Sequence, residues 1–196
     1  MIQEIGIGSI PGCVLQNSGI VSQAFTDRKI NTLQSAFRFV KQLPYRRNGD
    51  KAAVCAVLTE GCGTCSTKHA LLYRLAAEQC IRGMQLFIGV FKMTGDYAER
   101  LRPLLESNNL PYIPEAHCYL KYKSQAVDCT NAKSAAADFL PGLVTEIQIT
   151  PEQTGDFKVE FHKKQMAACI RKIPAFGRLS VDTLWQIREE CIRLLS

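Results

Sequence analysis

One change of periodicity constrains this chain more than any other feature. Residues 65–82 repeat apolar positions at helical spacing, with Leu71, Leu72, Leu75, Ala76 and Cys80 forming a broad stripe. At Gly83 that pattern stops, and MQLFIGVFKM at 84–93 follows as a nearly continuous apolar run of strand formers. The segment predicts a strong helix over 65–82, a C-terminal cap at Gly83 and a central strand over 84–93.

The flanking sequence fills in around this pair. Thr26 and Asp27 are good helix N-caps, and Ile30, Leu33, Phe37 and Val40 recur behind them until Pro44, which predicts a helix over 27–43. Residues 1–22 read as a short strand and loops. Asn48-Gly49 is a turn signal, and an apolar stretch at 52–58 breaks at GCGTC. A short helix is expected within 96–107, interrupted by Pro103. Strands at 117–123 and 125–130 turn near Ser124, and a second hairpin is expected from LVTEIQI (143–149) and DFKVEFH (156–162). Ser180 caps a last amphipathic helix through Trp185, Ile187, Cys191 and Leu194. Helices, then mostly antiparallel strands, then a helix make an α+β pattern, and 196 residues suit a single domain over 1–196.

Composition narrows the class. With 46% hydrophobic and 21% charged residues, the chain has the profile of a soluble globular protein, and no apolar run approaches the ~20 residues of a membrane helix. The start, MIQEIGIGSIPGCVLQ, lacks the basic region of a signal peptide. Nine cysteines, an odd number at irregular spacing, fit free thiols in a reducing cytoplasm better than a disulfide framework. The net charge of +6 comes from scattered basic residues, so a solvated surface is expected rather than a nucleic-acid partner.

Chemistry concentrates where the helix begins. Cys65 sits where the loop GCGT enters the helix, facing the positive end of the helix dipole and unpaired N–H groups that favour thiolate over thiol. Gly61 and Gly63 let the backbone turn tightly and let a substrate come close. A thiolate nucleophile needs a His as base and acid and a group to orient that His. If 117–123 and 125–130 pair as a hairpin, the first residue of one lies beside the last of the other. His117 and Asp128 then become neighbours.

These residues resemble the transglutaminase-like superfamily. GCGTCSTKHALLYRLAAEQCIRG resembles its nucleophile-bearing helix, HCY at 117–119 its His-x-aromatic motif, and VDCT at 127–130 its Asp-Pro-Thr motif. FVKQLPY resembles the end of its lead-in helix, and the resemblance spans about residues 27–132. It implies a papain-like fold, a Cys-bearing helix packed on an antiparallel sheet, and a catalytic triad of Cys65, His117 and Asp128 that needs no cofactor or metal. Cys129 replaces the family's Pro, and the upstream Trp of its crosslinking members is missing, the only Trp being Trp185. Hydrolysis of a peptide or protein amide is therefore the expected reaction.

Two other readings stand beside it. The same fold can serve as a catalytically silent binding module, although no triad residue is lost here. Cys62 and Cys65 also form a Cys-x-x-Cys, followed by His69, which suits a redox pair or half a zinc site, but no second Cys pair exists. His69 lies one turn beyond Cys65 and rivals His117 as the base, although it reads more simply as a residue of the helix surface or a support behind the pair. His162 has no evident partner in the sequence and reads as structural.

Overall fold

The computed structural model describes residues 2–50 and 53–195. The helix expected over 27–43 is the shorter α2 (Leu33–Gln42), and Thr26 and Asp27, expected as its N-caps, instead end a separate helix, α1 (Ile20–Thr26), which begins within the segment expected as a strand and loops. Lys29 takes a left-handed φ of 63° between them, and Thr32 caps α2 by accepting from the Ser35 N–H at 3.1 Å. Three residues of the apolar stretch at 52–58, Ala56, Val57 and Leu58, contribute to the short helix α3 (Ala56–Thr59), and residue 52 lies outside the described residues. Residue 1 is likewise outside them. Before α1 the N-terminal segment makes two isolated bridges, Glu4 with Ala126 and Val14 with Thr32, and a 3-10 turn at Ile7–Ser9.

Helix α4 (Cys65–Glu78) begins where the sequence predicts and ends one turn earlier. Its chain reversal is made by Cys80 at φ 55°, with the Ile81 N–H bonded back to the Ala76 carbonyl, and Gly83, expected as the cap, instead makes the turn before the next strand at φ 84°. Strand β1 (Met84–Met93) has the predicted bounds and the predicted central place. Helix α5 (Arg102–Ser107) tolerates Pro103 in its first turn, where the missing N–H costs nothing.

Strands β2 (Ile113–Tyr122) and β3 (Gln125–Val127) form the expected hairpin, through Lys123 and Ser124, both at positive φ in the pattern of a type I′ turn. After α6 (Ala136–Phe139), strand β4 (Leu143–Ile149) pairs with β1, and the antiparallel sheet runs β3-β2-β1-β4. The second expected hairpin is absent: residues 156–162 are the first turns of α7 (Asp156–Lys172). DFKVEFH alternates like a strand, but Phe157 and Val159 stay exposed while His162 and Met166, four apart, are buried. Helix α8 (Val181–Leu195) closes the chain, with the Ser180 hydroxyl accepting from the Thr183 N–H at 3.0 Å.

Strand alternation sorts the interior into two clusters. Leu86, Ile88 and Val90 of β1 with Ala116, Cys118 and Leu120 of β2 pack with Leu71, Leu72 and Leu75 of α4 and with α1 and α2. Phe91, Met93, Ile113 and Tyr119 pack with Phe139, Met166, Leu184 and Ile187. The fold is thus α+β with an antiparallel sheet, and none of the described helices is long and apolar enough to cross a membrane.

Candidate active site

The loop before α4 is built to fix Cys65. Gly61 holds φ at 63°, and a Cβ on Gly63 would lie 2.9 Å from Thr67 Oγ1 and 3.0 Å from both Lys68 Cγ and Val57 Cγ2, so the chain closes in here only without a side chain. Thr67 Oγ1 accepts from the Thr64 N–H at 3.0 Å and donates to buried Asn48 Oδ1 at 2.8 Å. Asn48 Nδ2 in turn donates to the Cys62 carbonyl at 3.0 Å. Cys65 emerges at the first position of the helix, 5% exposed.

His117 lies within β2, paired across from Gly89 rather than at a strand start, because β2 begins four residues earlier than expected. Its Nε2 donates to Asp128 Oδ1 at 3.1 Å. Continuing the β2–β3 register from Leu120↔Val127 by three steps brings Thr130, not Asp128, opposite His117. Asp128 is the diagonal neighbour, just past the end of β3, and Thr130 donates to the same Oδ1 at 2.7 Å. The ring of His117 is backed by Phe139, with centroids 4.7 Å apart.

Helix α4 clamps this loop. His69 is fully buried; its Nδ1–H donates to the Cys65 carbonyl at 2.8 Å and its Nε2 accepts from the Cys129 N–H at 2.8 Å. Nε2 also lies 3.3 Å from Asp128 Oδ1, but accepting from an amide leaves it no proton, so His69 is neutral and burial keeps its pKa down. It is therefore neither a helix-surface residue nor available as a base. Lys68 is buried too, bonding the Leu43 carbonyl and, at 2.7 Å, the Thr130 carbonyl; burial lowers its pKa to about 8. Lys41 holds the Asp128 carbonyl at 3.2 Å from the other side.

The electrostatics favour charge separation. A hydrogen bond from the Cys118 thiol, helped by Lys158 and His117, outweighs burial and holds the Cys65 thiol well below its ordinary value, while burial pushes Cys118 well up. Burial opposes the charged form of His117, yet the Cys65 thiolate and Asp128 raise its pKa to about 10. Burial would raise Asp128, but the imidazolium keeps it ionised below the usual carboxylate range. These shifts favour the thiolate form of Cys65 and the imidazolium form of His117, with Asp128 behind the imidazole.

Several residues of this site carried no role in the sequence reading. Lys158, on the segment expected as a strand, brings Nζ to 3.4 Å from Cys65 Sγ and 3.0 Å from Ser66 Oγ. A cleft of about 800 Å³ reaches Cys65, Ser66 and Lys158, walled by Tyr45, Trp185 and Arg188. Trp185, remote in sequence, is therefore on the wall of the cleft. His162 has a partner after all, the Pro114 carbonyl 2.6 Å from Nε2, and packs on Trp185. Only adjacency flagged Ser66, Cys118 and Thr130, each within two positions of Cys65, His117 or Asp128. Cys62 Sγ accepts from Arg46 Nε at 3.3 Å, and no group of three or more His, Cys, Asp or Glu among the described residues is arranged to hold a metal. Comparison with known protein families, with characterised proteins and with solved structures found no match to this chain.

Proposed function

We propose that the protein is a thiol-dependent acyl-transfer enzyme of the transglutaminase-like type, in which Cys65 attacks an amide or related carbonyl. The observation that carries this reading is the His117–Asp128 pair beside Cys65: an imidazole bonded through Nε2 to a buried carboxylate at 3.1 Å and acting electrostatically on a thiol at a helix start. The thiolate attacks, forming the C–S bond and moving the carbonyl π pair to oxygen. His117, already protonated, gives its Nδ1 proton to the leaving amine as the C–N bond breaks. The neutral imidazole then takes a proton from water, whose oxygen displaces Cys65 and releases the acid. Asp128 fixes the ring throughout and favours its charged form.

Hydrolysis is the first reading of the second half-reaction. Transfer to an amine is the second, favoured by Trp185 and Tyr45 on the cleft wall, since a transferase shields its thioester from water with large aromatics. The test is exposure to p-nitrophenyl acetate followed by mass analysis of Cys65. An acetyl group on Cys65, absent in His117→Ala, is expected, with turnover of that variant down about 10²–10⁴-fold. Acylation elsewhere, or none, would remove the assignment. Adding a millimolar primary amine should divert little of the acyl group; capture of most of it makes the enzyme a transferase with the same three residues.

A further inference from the structure

We infer that Lys158 is a catalytic residue of this reaction: its ammonium, with the first N–H groups of α4, holds the oxyanion of the tetrahedral intermediate formed on Cys65. The inference rests on the acyl-transfer reading above and names the side chain that would hold the oxyanion.

Geometry puts the ammonium in the right place. Nζ is 3.4 Å from Cys65 Sγ and 3.0 Å from Ser66 Oγ, so it lies over the first turn of α4, on the side where the cleft opens. An oxyanion donor must stand about 2.7–3.1 Å from the oxygen of the intermediate. That oxygen sits two bonds from the sulfur, so a donor already in contact with Sγ reaches it with a small adjustment. A lysine has three donor hydrogens, and Sγ and Ser66 Oγ take two of them. The third is free for an oxygen arriving through the cleft. The Cys65 and Ser66 N–H groups, which belong to the unpaired first turn of α4, have no acceptor among the described residues and complete the cradle.

The charges of the cleft single Lys158 out. Arg47 is paired with Glu189 at 2.8 Å, Arg74 with Glu152 at 2.8 Å, and Arg188 with Glu115 at 2.6 Å. Among the described residues, no carboxylate comes within salt-bridge distance of Lys158. Glu115 acts on it from further off, but Arg188 binds both oxygens of that carboxylate. The pKa of Lys158 is raised, because Cys118, Cys65 and Glu115 outweigh the burial that opposes its charge. It therefore stays a cation and donates without giving up its proton, while His117 does the proton transfer. In the attack step the C–S bond forms, the carbonyl pair moves to oxygen, and that oxygen accepts from Lys158. On collapse the pair returns and the C–N bond breaks.

Two reactions of the same thiol separate this role from mere stabilisation of the thiolate. Alkylation by iodoacetamide passes through no oxyanion, whereas acylation by p-nitrophenyl acetate does. Both rates are measured on one sample, so their ratio does not depend on the folded fraction. In Lys158→Met the acylation rate is expected to fall about 10²–10³-fold, with alkylation falling less than about tenfold. Lys158→Gln, which keeps a neutral donor, should lie between it and the wild type and serves if the methionine variant does not fold. A parallel fall of both rates overturns the oxyanion role and leaves Lys158 a partner of the thiolate; so does an unchanged ratio. A wild-type protein that p-nitrophenyl acetate does not acylate at Cys65 overturns the acyl-transfer reading and this inference together.

Discussion

On the proposed mechanism Cys65 and His117 share one proton, and that sets what pH does to them. Their ordinary values are 9.0 and 6.5. Between pH 6.5 and 9 the unfolded chain keeps one proton on the pair, on the thiol, and the folded pair also keeps one, on the imidazole. Folding then moves no net proton, and the pair adds no pH dependence. Below 6.5 the unfolded His gains a second proton that the folded pair refuses down to the lowered pKa of Cys65, so stability falls with falling pH. Above 9 the unfolded pair has lost both while the folded one keeps its proton to about pH 10, so stability falls with rising pH. The difference in Tm between the wild type and Cys65→Ala/His117→Gln should be flat from 6.5 to 9 and shrink on both sides; a slope inside the window would sink the one-proton pair. Alkylation locates the proton: at pH 6 a brief iodoacetamide pulse should label Cys65 first. Burial pushes Cys55, Cys118, Cys129, Cys169 and Cys191 up, away from thiolate.

Helix α4 does more than carry the nucleophile. Its second turn holds Lys68 and His69, which take up the carbonyl of Thr130 and the N–H of Cys129 and so set where Asp128 stands. Replacing His69 by Leu leaves the buried Cys129 N–H without an acceptor, at a cost of about 1–3 kcal/mol. Denaturant unfolding should show that loss. Turnover should drop because Asp128 shifts, while Cys65 still alkylates, since His69 never receives its proton. If His69→Leu instead abolishes alkylation at pH 6 and His117→Ala does not, the base has been assigned to the wrong histidine.

Across the whole molecule, the site depends on contacts between distant stretches. Helix α8 is fastened to β2 by the buried pair of Arg188 and Glu115, Nε and Nη2 each 2.6 Å from a carboxylate oxygen, two residues before His117. The same helix places Trp185 on the cleft wall. Arg188→Met should cost about 3–5 kcal/mol by leaving the carboxylate buried and unpaired, whereas Glu115→Leu/Arg188→Leu should cost distinctly less. Urea denaturation of both variants decides it. Equal losses would mean that side-chain packing, not the unpaired charge, dominates at this contact.

By itself the sequence determined the elements whose signals are local. The apolar run of β1, the Gly-flanked start of α4, the hairpin turn after β2 and the Ser180 cap each follow from neighbours a few residues apart, and each appears where that chemistry puts it. The hairpin also brought His117 to Asp128 by chain geometry, although the register made Thr130 the facing residue. Tertiary structure decided the rest. Residues 156–162 alternate like a strand, and only packing against β2 and α8 makes them a helix, which carries Lys158 to the thiol. The neutral state of His69 follows from the amide of Cys129, sixty positions away. The cleft joins α3, α4, α7 and α8, and no local pattern encodes which faces of them meet. Charge and hydrogen-bond partners at a site are set by distance in space, and a linear pattern specifies that distance only where the chain turns back on itself at once.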